Sequence, residues 1–117
     1  MRRSTLLQLA RDSIQEVFEA RNIIDKKESI QTHPLLNESV NVTLNLYIDK
    51  ELQGSYTSQN KDSLLGNIIV SAKKAAFEDK ETPILTTSAY LHCEIELILF
   101  TPEGNISEID PAIIKGS

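Results

Sequence analysis

The chain has 117 residues, 40% of them hydrophobic and 25% charged, which is typical of one globular domain with a modest core. A formal net charge of -5 excludes a broadly basic surface, so nucleic acid is not an expected partner. Because Cys93 is the only cysteine and no stretch approaches the roughly 18 consecutive apolar residues of a membrane span, we expect a cytoplasmic protein without disulfides or a membrane partner.

The first predicted element is an amphipathic helix over residues 5–20. Apolar residues recur there at intervals of three and four, which is the period of a helix with one buried face. Ser4 precedes them and is a typical N-cap. The predicted apolar stripe contains Leu6, Leu7, Ala10, Ile14, Val17 and Phe18, and the polar stripe contains Gln8, Arg11, Asp12, Gln15, Glu16 and Glu19.

The polar segment 22–38 is predicted to be an irregular connector. Pro34 lacks a backbone donor and biases the residue before it away from helix. Leu35 and Leu36 are expected to dock on the core.

A β-hairpin is predicted next. Residues 39–48 alternate between apolar and polar side chains, which indicates a strand with one buried face. Asp49-Lys50-Glu51 is a plausible turn, and residues 52–57 would return as the antiparallel partner. Gly54 within that partner indicates a bulge or the close approach of another backbone.

A second helix is predicted from Asn60 or Asp62 to about Asp79, followed by strands over 91–100 and 106–114. These elements together predict an α+β fold, in which a largely antiparallel sheet has two main helices packed on one face. The predicted apolar stripe of the second helix is Leu65, Ile68, Ile69, Ala72, Ala76 and Phe77, and its polar face is Asn67, Ser71, Lys74 and Glu78.

The 91–100 strand carries ligand-type side chains at alternate positions. His92, Glu94 and Glu96 would share one face, with neighbouring positions about 6.5–7 Å apart. A His-x-Glu pair can give two ligands to a divalent metal, although a solvated half-strand has the same pattern and a third ligand would be needed. We therefore predict no metal and no cofactor, and retain His92 and Glu94 as candidate ligands. Cys93, on the apolar face, is expected to pack in the core.

Five short motifs lie in order along nearly the whole chain. They are Leu6-Leu7-x-Leu9-Ala10-Arg11-x-x-Ile14, Val42-Thr43-Leu44, Ala75-Ala76-Phe77-Glu78-Asp79 with Pro83 and Leu85-Thr86, Ile95-Glu96 leading to Thr101-Pro102, and Asp110-Pro111 with Ile114-Lys115. In this order and spacing they resemble the AMMECR family (AmmeMemoRadiSam system protein A). The resemblance covers only about the first two-thirds of the family domain. We therefore expect residues 1–117 to form a single AMMECR-like domain that lacks the usual C-terminal third.

The chain departs from the family in the second hairpin strand. Family members usually carry Leu-Arg-Gly-Cys-Ile-Gly there, whereas this chain has Leu52-Gln53-Gly54-Ser55-Tyr56-Thr57. Without an activating base, Ser55 could not replace the thiolate chemistry of a cysteine. The resemblance implies ligand-binding candidates at the motif positions, which are Gln53, Gly54, Ser55, Tyr56, Glu78, Asp79 and Glu96.

The family's members are associated with Memo-type proteins and radical-SAM-type enzymes, which names a pathway but no substrate. Because the cysteine and arginine are absent, we expect a non-catalytic domain that binds a protein or small ligand. The alternative is an enzyme, or an accessory subunit of one, with a site between strand 52–57 and the second helix; it requires a pocket with convergent polar groups there. Self-association through an open sheet edge is a further hypothesis.

Overall fold

The computed structural model describes residues 4–58, 63–78 and 86–113. They form four α-helices, a short 3-10 turn at Pro34–Asn37 and four strands. The helices are α1 (Thr5–Glu19), α2 (Lys26–Thr32), α3 (Leu64–Phe77) and α4 (Thr87–Leu91), and the strands are β1 (Asn41–Ile48), β2 (Glu51–Thr57), β3 (Glu94–Thr101) and β4 (Gly104–Asp110).

The four strands form one antiparallel sheet in the order β2-β1-β3-β4. α1 and α3 cover one face, where the apolar residues of β1 and β3 are buried in a single cluster with those of the helices. The opposite face, which we call the open face, carries half-exposed and exposed side chains such as Asn45, Tyr47 and Phe100. The predicted α+β fold, with two main helices on one face of the sheet, is confirmed.

The N-cap of α1 is confirmed, because the Ser4 hydroxyl accepts a hydrogen bond from the Leu7 amide at 3.2 Å. The predicted stripe is wrong in part. Val17 is 45% exposed, whereas Arg11 and Glu16 are buried although both were assigned to the polar stripe. Both side chains are stabilised by partners far along the chain, so the helix has a wider buried face than its apolar residues alone indicate.

Arg11 links α1 to the sheet through a buried ion pair. Its Nε lies 2.5 Å from Oδ2 of Asp110, and its Nη2 donates to the carbonyl oxygens of Cys93 and Pro111. Both side chains of the pair are at least nine-tenths buried. The guanidinium also lies over the ring of Tyr90, 5.2 Å from its centroid. α1, the end of β4 and the start of β3 therefore meet at one cation.

Three further predictions are corrected around the helices. The 22–38 segment contains α2 and the 3-10 turn, and of the two leucines there only Leu36 is buried. α3 begins after Ser63, whose hydroxyl caps it by accepting from the Gly66 amide; Asn60 and Asp62 lie outside the described residues. Asn67 and Ser71, assigned to its polar face, are buried.

Both predicted strands after α3 are present, but their bounds differ by one to four residues from the predicted 91–100 and 106–114. β3 begins at Glu94 rather than at residue 91, because α4 occupies residues 87–91. β4 ends at Asp110, immediately before Pro111, which cannot donate to a strand ladder. Within the described residues, none of the helices is long and apolar enough to cross a membrane.

Candidate functional site

A bulge in the hairpin decides which residues of β2 reach the open face. β1 and β2 are joined by the two-residue turn Asp49-Lys50, and both turn residues have positive φ. Leu52 lies opposite Tyr47, but Gly54 lies opposite Leu46, so Gln53 is the extra residue. Without that bulge, the strictly alternating side chains from Gly54 onward would change faces. The bulge therefore places Ser55 on the open face.

Ser55 begins a hydrogen-bonded chain that crosses three strands of the open face. Its Oγ donates to Oδ1 of Asn45 at 2.5 Å, and Nδ2 of Asn45 donates to Oε1 of Glu96 at 3.0 Å. The hydroxyl of Tyr47 donates to the same Oε1 at 3.2 Å. We call Ser55, Asn45, Glu96 and Tyr47 the open-face network. It holds the Glu96 carboxylate in a fixed position, because two donors converge on one of its oxygens.

A shallow pocket of about 240 Å³ adjoins the open-face network. It lies at the end of the sheet where the β1–β2 turn, the start of β3 and the end of β4 meet. Its lining combines two carboxylates, a phenol, an ammonium group and one apolar side chain: Glu94, Glu96, Tyr47, Lys50 and Ile109. We call it the open-face pocket.

Both hydroxyls of the open-face network are hydrogen-bond donors. Partial burial and then the hydrogen bond to Glu96 raise the pKa of Tyr47 above its usual value of 10.0, so the phenol stays protonated and donates near neutral pH. The Ser55 hydroxyl donates to an amide oxygen, which is too weak a base to take up its proton. The network therefore contains two hydroxyl donors, an amide that both donates and accepts, and one oriented carboxylate.

The structure separates the other motif residues from this network. Gly54 faces α3, where a Cβ would overlap the carbonyl oxygen of Ala75, so its role is close packing. Tyr56 is on the same face, with the Lys74 ammonium 5.5 Å from its ring centroid. Glu78 is the C-cap residue of α3 and pairs with Lys74, while Asp79 lies outside the described residues. Gln53 is the bulge residue.

The structure also separates His92 from Glu94 and Glu96. His92 is the C-cap residue of α4 and precedes β3, so the prediction that it shares a strand face with Glu94 and Glu96 is wrong. Glu94 and Glu96 do lie on one face and line one pocket. In residues 4–58, 63–78 and 86–113, no group of three or more His, Cys, Asp or Glu side chains could hold a metal.

Cys93 is fully buried in the core, as predicted. Burial raises the pKa of its thiol to about 11, although the Arg11 charge opposes the shift. We expect native protein to resist modification by Ellman's reagent at pH 8, and one equivalent of thiol to react after unfolding in guanidinium chloride. Stoichiometric labelling of the folded protein within minutes would contradict this burial.

A second depression, of about 390 Å³, lies between the end of α1, the start of α2 and the middle of α3. Glu16 forms part of its wall. One oxygen of that carboxylate pairs with Lys73 at 2.8 Å, and the other accepts from the amides of Ile23 and Ile24. Burial raises the pKa of Glu16, but these hydrogen bonds outweigh burial and hold the pKa below its usual 4.5. The carboxylate therefore ties the connector to both main helices.

Glu16→Gln is expected to lower the free energy of unfolding at pH 7 by about 1.5–3 kcal/mol, the usual contribution of hydrogen bonds to a charged group. Because the folded-state pKa is lowered, the contribution is present above pH 4.5 and is lost as the pH falls through the folded-state pKa. Urea unfolding at pH 7 and at pH 3 measures both parts. Glu19→Gln, on the solvated side of α1, is the control; an equal loss in that variant would refute a special role for Glu16.

Asn45 and Tyr47 are the members of the open-face network that sequence reasoning did not select. Both occupy the polar positions of β1, so the alternation placed them on the open face. Their partner Glu96 could be assigned only once β1 was known to lie between β2 and β3. The information that would have identified this network is therefore the strand order, and no sequence motif contains it.

The AMMECR1 family model matches residues 7–115 of the chain. Among solved structures, the crystal structure of the uncharacterized protein PH0010 from Pyrococcus horikoshii is similar, with a TM-score of 0.71 and 22% sequence identity. That match covers 83% of this chain and 50% of the Pyrococcus chain, so this chain spans about half the length of that relative. No curated protein sequence matches the chain. The structural likeness shows a shared fold.

Proposed function

The chain belongs to the AMMECR1 family, and we propose that it is a non-catalytic binding domain that uses the open face of its sheet. The observation that carries the proposal is the open-face network, in which Ser55 donates to the amide of Asn45. A serine bound in this way is not activated, whereas fixed donors and acceptors recognise a ligand at low entropic cost. The ligand is a protein or a small molecule.

Two properties of the open face support a protein as the ligand. Phe100 and Ile109 are 39% and 58% exposed on this face, and apolar side chains next to a polar network are typical of interaction surfaces. The open-face pocket is lined by residues of β1, β3 and β4 and of the β1–β2 turn, so a partner would cover several strands at once. Because the chain has one cysteine, which is buried and in no disulfide, we also propose a cytoplasmic location.

The alternative is an enzyme, or an accessory subunit, in a Memo- or radical-SAM-linked pathway. In its favour, Ser55 occupies the position of the family's cysteine and reaches Glu96 through Asn45. Against it, the contact between Gly54 and the backbone of Ala75 fills the space between β2 and α3 where this reading requires a pocket. We therefore rank it second.

Photo-crosslinking tests the proposal. Benzoylphenylalanine at Phe100 keeps the first ring and adds a photoreactive benzoyl group, which this exposed position can accept. On irradiation in cells we expect it to attach to a discrete partner. The same residue at Leu35, an exposed leucine outside the sheet, is the matched control. Crosslinking at both positions would count against the open face, and crosslinking at neither would count against a protein as its ligand. In parallel, a metabolite extract incubated with wild-type protein or with Ser55→Ala should show no product that depends on Ser55; such a product would establish the enzyme alternative.

Self-association is a separate proposal. β2 and β4 are the outer strands of the described sheet, and outer strands carry unpaired backbone groups that can pair with a second copy. Sedimentation velocity at several protein concentrations tests it. A constant monomeric mass would contradict edge pairing.

A further inference from the structure

We propose that the open-face pocket takes an arginine side chain supplied by a partner protein. The inference rests on the proposed function, because it names the chemistry that the open face recognises. A pocket, two available carboxylates, an aromatic ring and an apolar wall coincide there.

The charge of the pocket comes from carboxylates that have acceptor oxygens to spare. Both donors to Glu96 use Oε1, which leaves Oε2 without a hydrogen bond from any described residue. Glu94 forms no hydrogen bond or ion pair through its carboxylate within the described residues. Two carboxylates on adjacent same-face positions of β3 therefore face one pocket with unused acceptors. A cationic donor is the complementary ligand.

The remaining walls favour a guanidinium over an ammonium group. A guanidinium is planar, can donate to two carboxylates at once and stacks on aromatic rings, whereas an ammonium is a compact and strongly hydrated charge. Tyr47 provides an aromatic ring beside Glu96, and Ile109 provides an exposed apolar surface for the aliphatic part of an arginine.

Among the described residues that line the pocket, Lys50 alone carries a charge that opposes a cation. It lies in the β1–β2 turn at the rim, with φ of 67°, and its flexible side chain can place the ammonium in solvent. The residual repulsion makes a distinctive prediction: removing this charge strengthens binding, whereas removing either carboxylate weakens it. Simple damage to the fold would weaken binding in all three variants.

A basic partner fits the open face better than a second copy of this chain does. The chain carries a net charge of -5, so its copies repel one another at long range, and the same charge attracts a basic segment. Phe100 is exposed on the same face of β3, four residues after Glu96. It would contact an apolar residue of that segment. The arginine therefore serves as the anchor of a larger contact.

The test is a titration of ¹⁵N-labelled protein with N-acetylargininamide, followed by NMR. N-acetylcitrullinamide, which has nearly the same shape without the charge, is the control ligand. We expect saturable shifts with a Kd of about 1 mM, as for a small isolated ligand, confined to amides around the pocket. The citrulline compound should cause none of them.

Four single substitutions then separate the pocket from general electrostatics. Glu94→Gln and Glu96→Gln should each weaken binding about fivefold, and Lys50→Gln should strengthen it about twofold, which are typical effects of partly exposed charges. Glu103→Gln removes one negative charge, as Glu94→Gln and Glu96→Gln do, but at the turn on the opposite end of β3. It should leave the Kd unchanged. The amide spectra show whether each variant is folded.

The inference is overturned if citrulline binds equally well, if the arginine shifts do not saturate, or if Glu103→Gln weakens binding as much as Glu96→Gln does. A fall in affinity in Lys50→Gln would also overturn it. Crosslinking at Phe100 without arginine binding would overturn this inference and retain the proposed function. Arginine binding with no crosslink from the open face would contradict a protein partner on that face, and would therefore overturn the inference that a partner protein supplies the arginine.

Discussion

Arg11→Met is expected to lower the free energy of unfolding by about 3–5 kcal/mol, because it leaves the buried carboxylate of Asp110 without its cation. The substitution also removes the donors to the carbonyl oxygens of Cys93 and Pro111. Domains of this size are stable by only about 5–15 kcal/mol, so the melting temperature should fall by more than about 10 °C. Urea unfolding and calorimetry measure the two quantities.

A double substitution distinguishes loss of pairing from loss of packing. Arg11→Met combined with Asp110→Leu removes both charges, and we expect it to recover most of the stability, because a buried ion pair can often be replaced by apolar side chains at little cost. Arg11→Lys keeps the charge but cannot reproduce the donors on Nη2, so an intermediate loss is expected. If Arg11→Met lowers the stability by less than 1 kcal/mol, the ion pair is not a major contributor.

Gly54→Ala is expected to destabilise the fold by about 3 kcal/mol, at the upper end of the usual cost of overpacking. The added Cβ would overlap the Ala75 carbonyl oxygen, and that oxygen belongs to the backbone of α3 and cannot rotate away. β2 and α3 would have to move apart. Chemical denaturation measures the cost, and the NMR shifts of Ala75 and its neighbours show where the strain is located.

Gly104→Ala is the matched control for that substitution. Gly104 has φ of 135°, which disfavours a side chain, but no atom lies within 4 Å of the position that its Cβ would occupy. We expect a loss of about 1–2 kcal/mol from backbone conformation alone. A Gly54→Ala protein that is as stable as the wild type would show that α3 does not pack on β2 as closely as described.

Local periodicity predicted the elements whose buried side chains are all apolar. β1 alternates over its whole length and one face of its sheet is covered, so its orientation followed from the sequence. Periodicity predicted the wrong exposure for Arg11, whose spacing places it in the polar stripe although its side chain is buried. Its burial depends on Asp110, 99 residues away, and no local pattern encodes that pairing. The two residues belong to the first and last motifs of the family resemblance, which was the available clue.

The candidate site was predictable only in part, for a related reason. Ser55 and Glu96 were selected as motif residues, but the side of the sheet that Ser55 occupies depends on the bulge at Gln53. The position of Glu96 depends on β1 lying between β2 and β3. Register and strand order are set by pairing between distant segments, so the open-face network could not be assembled from the sequence alone.

The ion pair between α1 and β4 cannot form during synthesis until the ribosome has added Asp110. The ribosome adds about 5–20 residues per second, so residue 110 is made roughly 5–20 s after residue 11. During that interval the newly made α1 has neither the cation's partner nor the later strand β3, although its Ala10 and Ile14 are destined for complete burial. We expect the nascent N-terminal helix to be a chaperone client, and substitutions at Asp110 to lower the yield of soluble protein in cells as well as the stability of the finished fold.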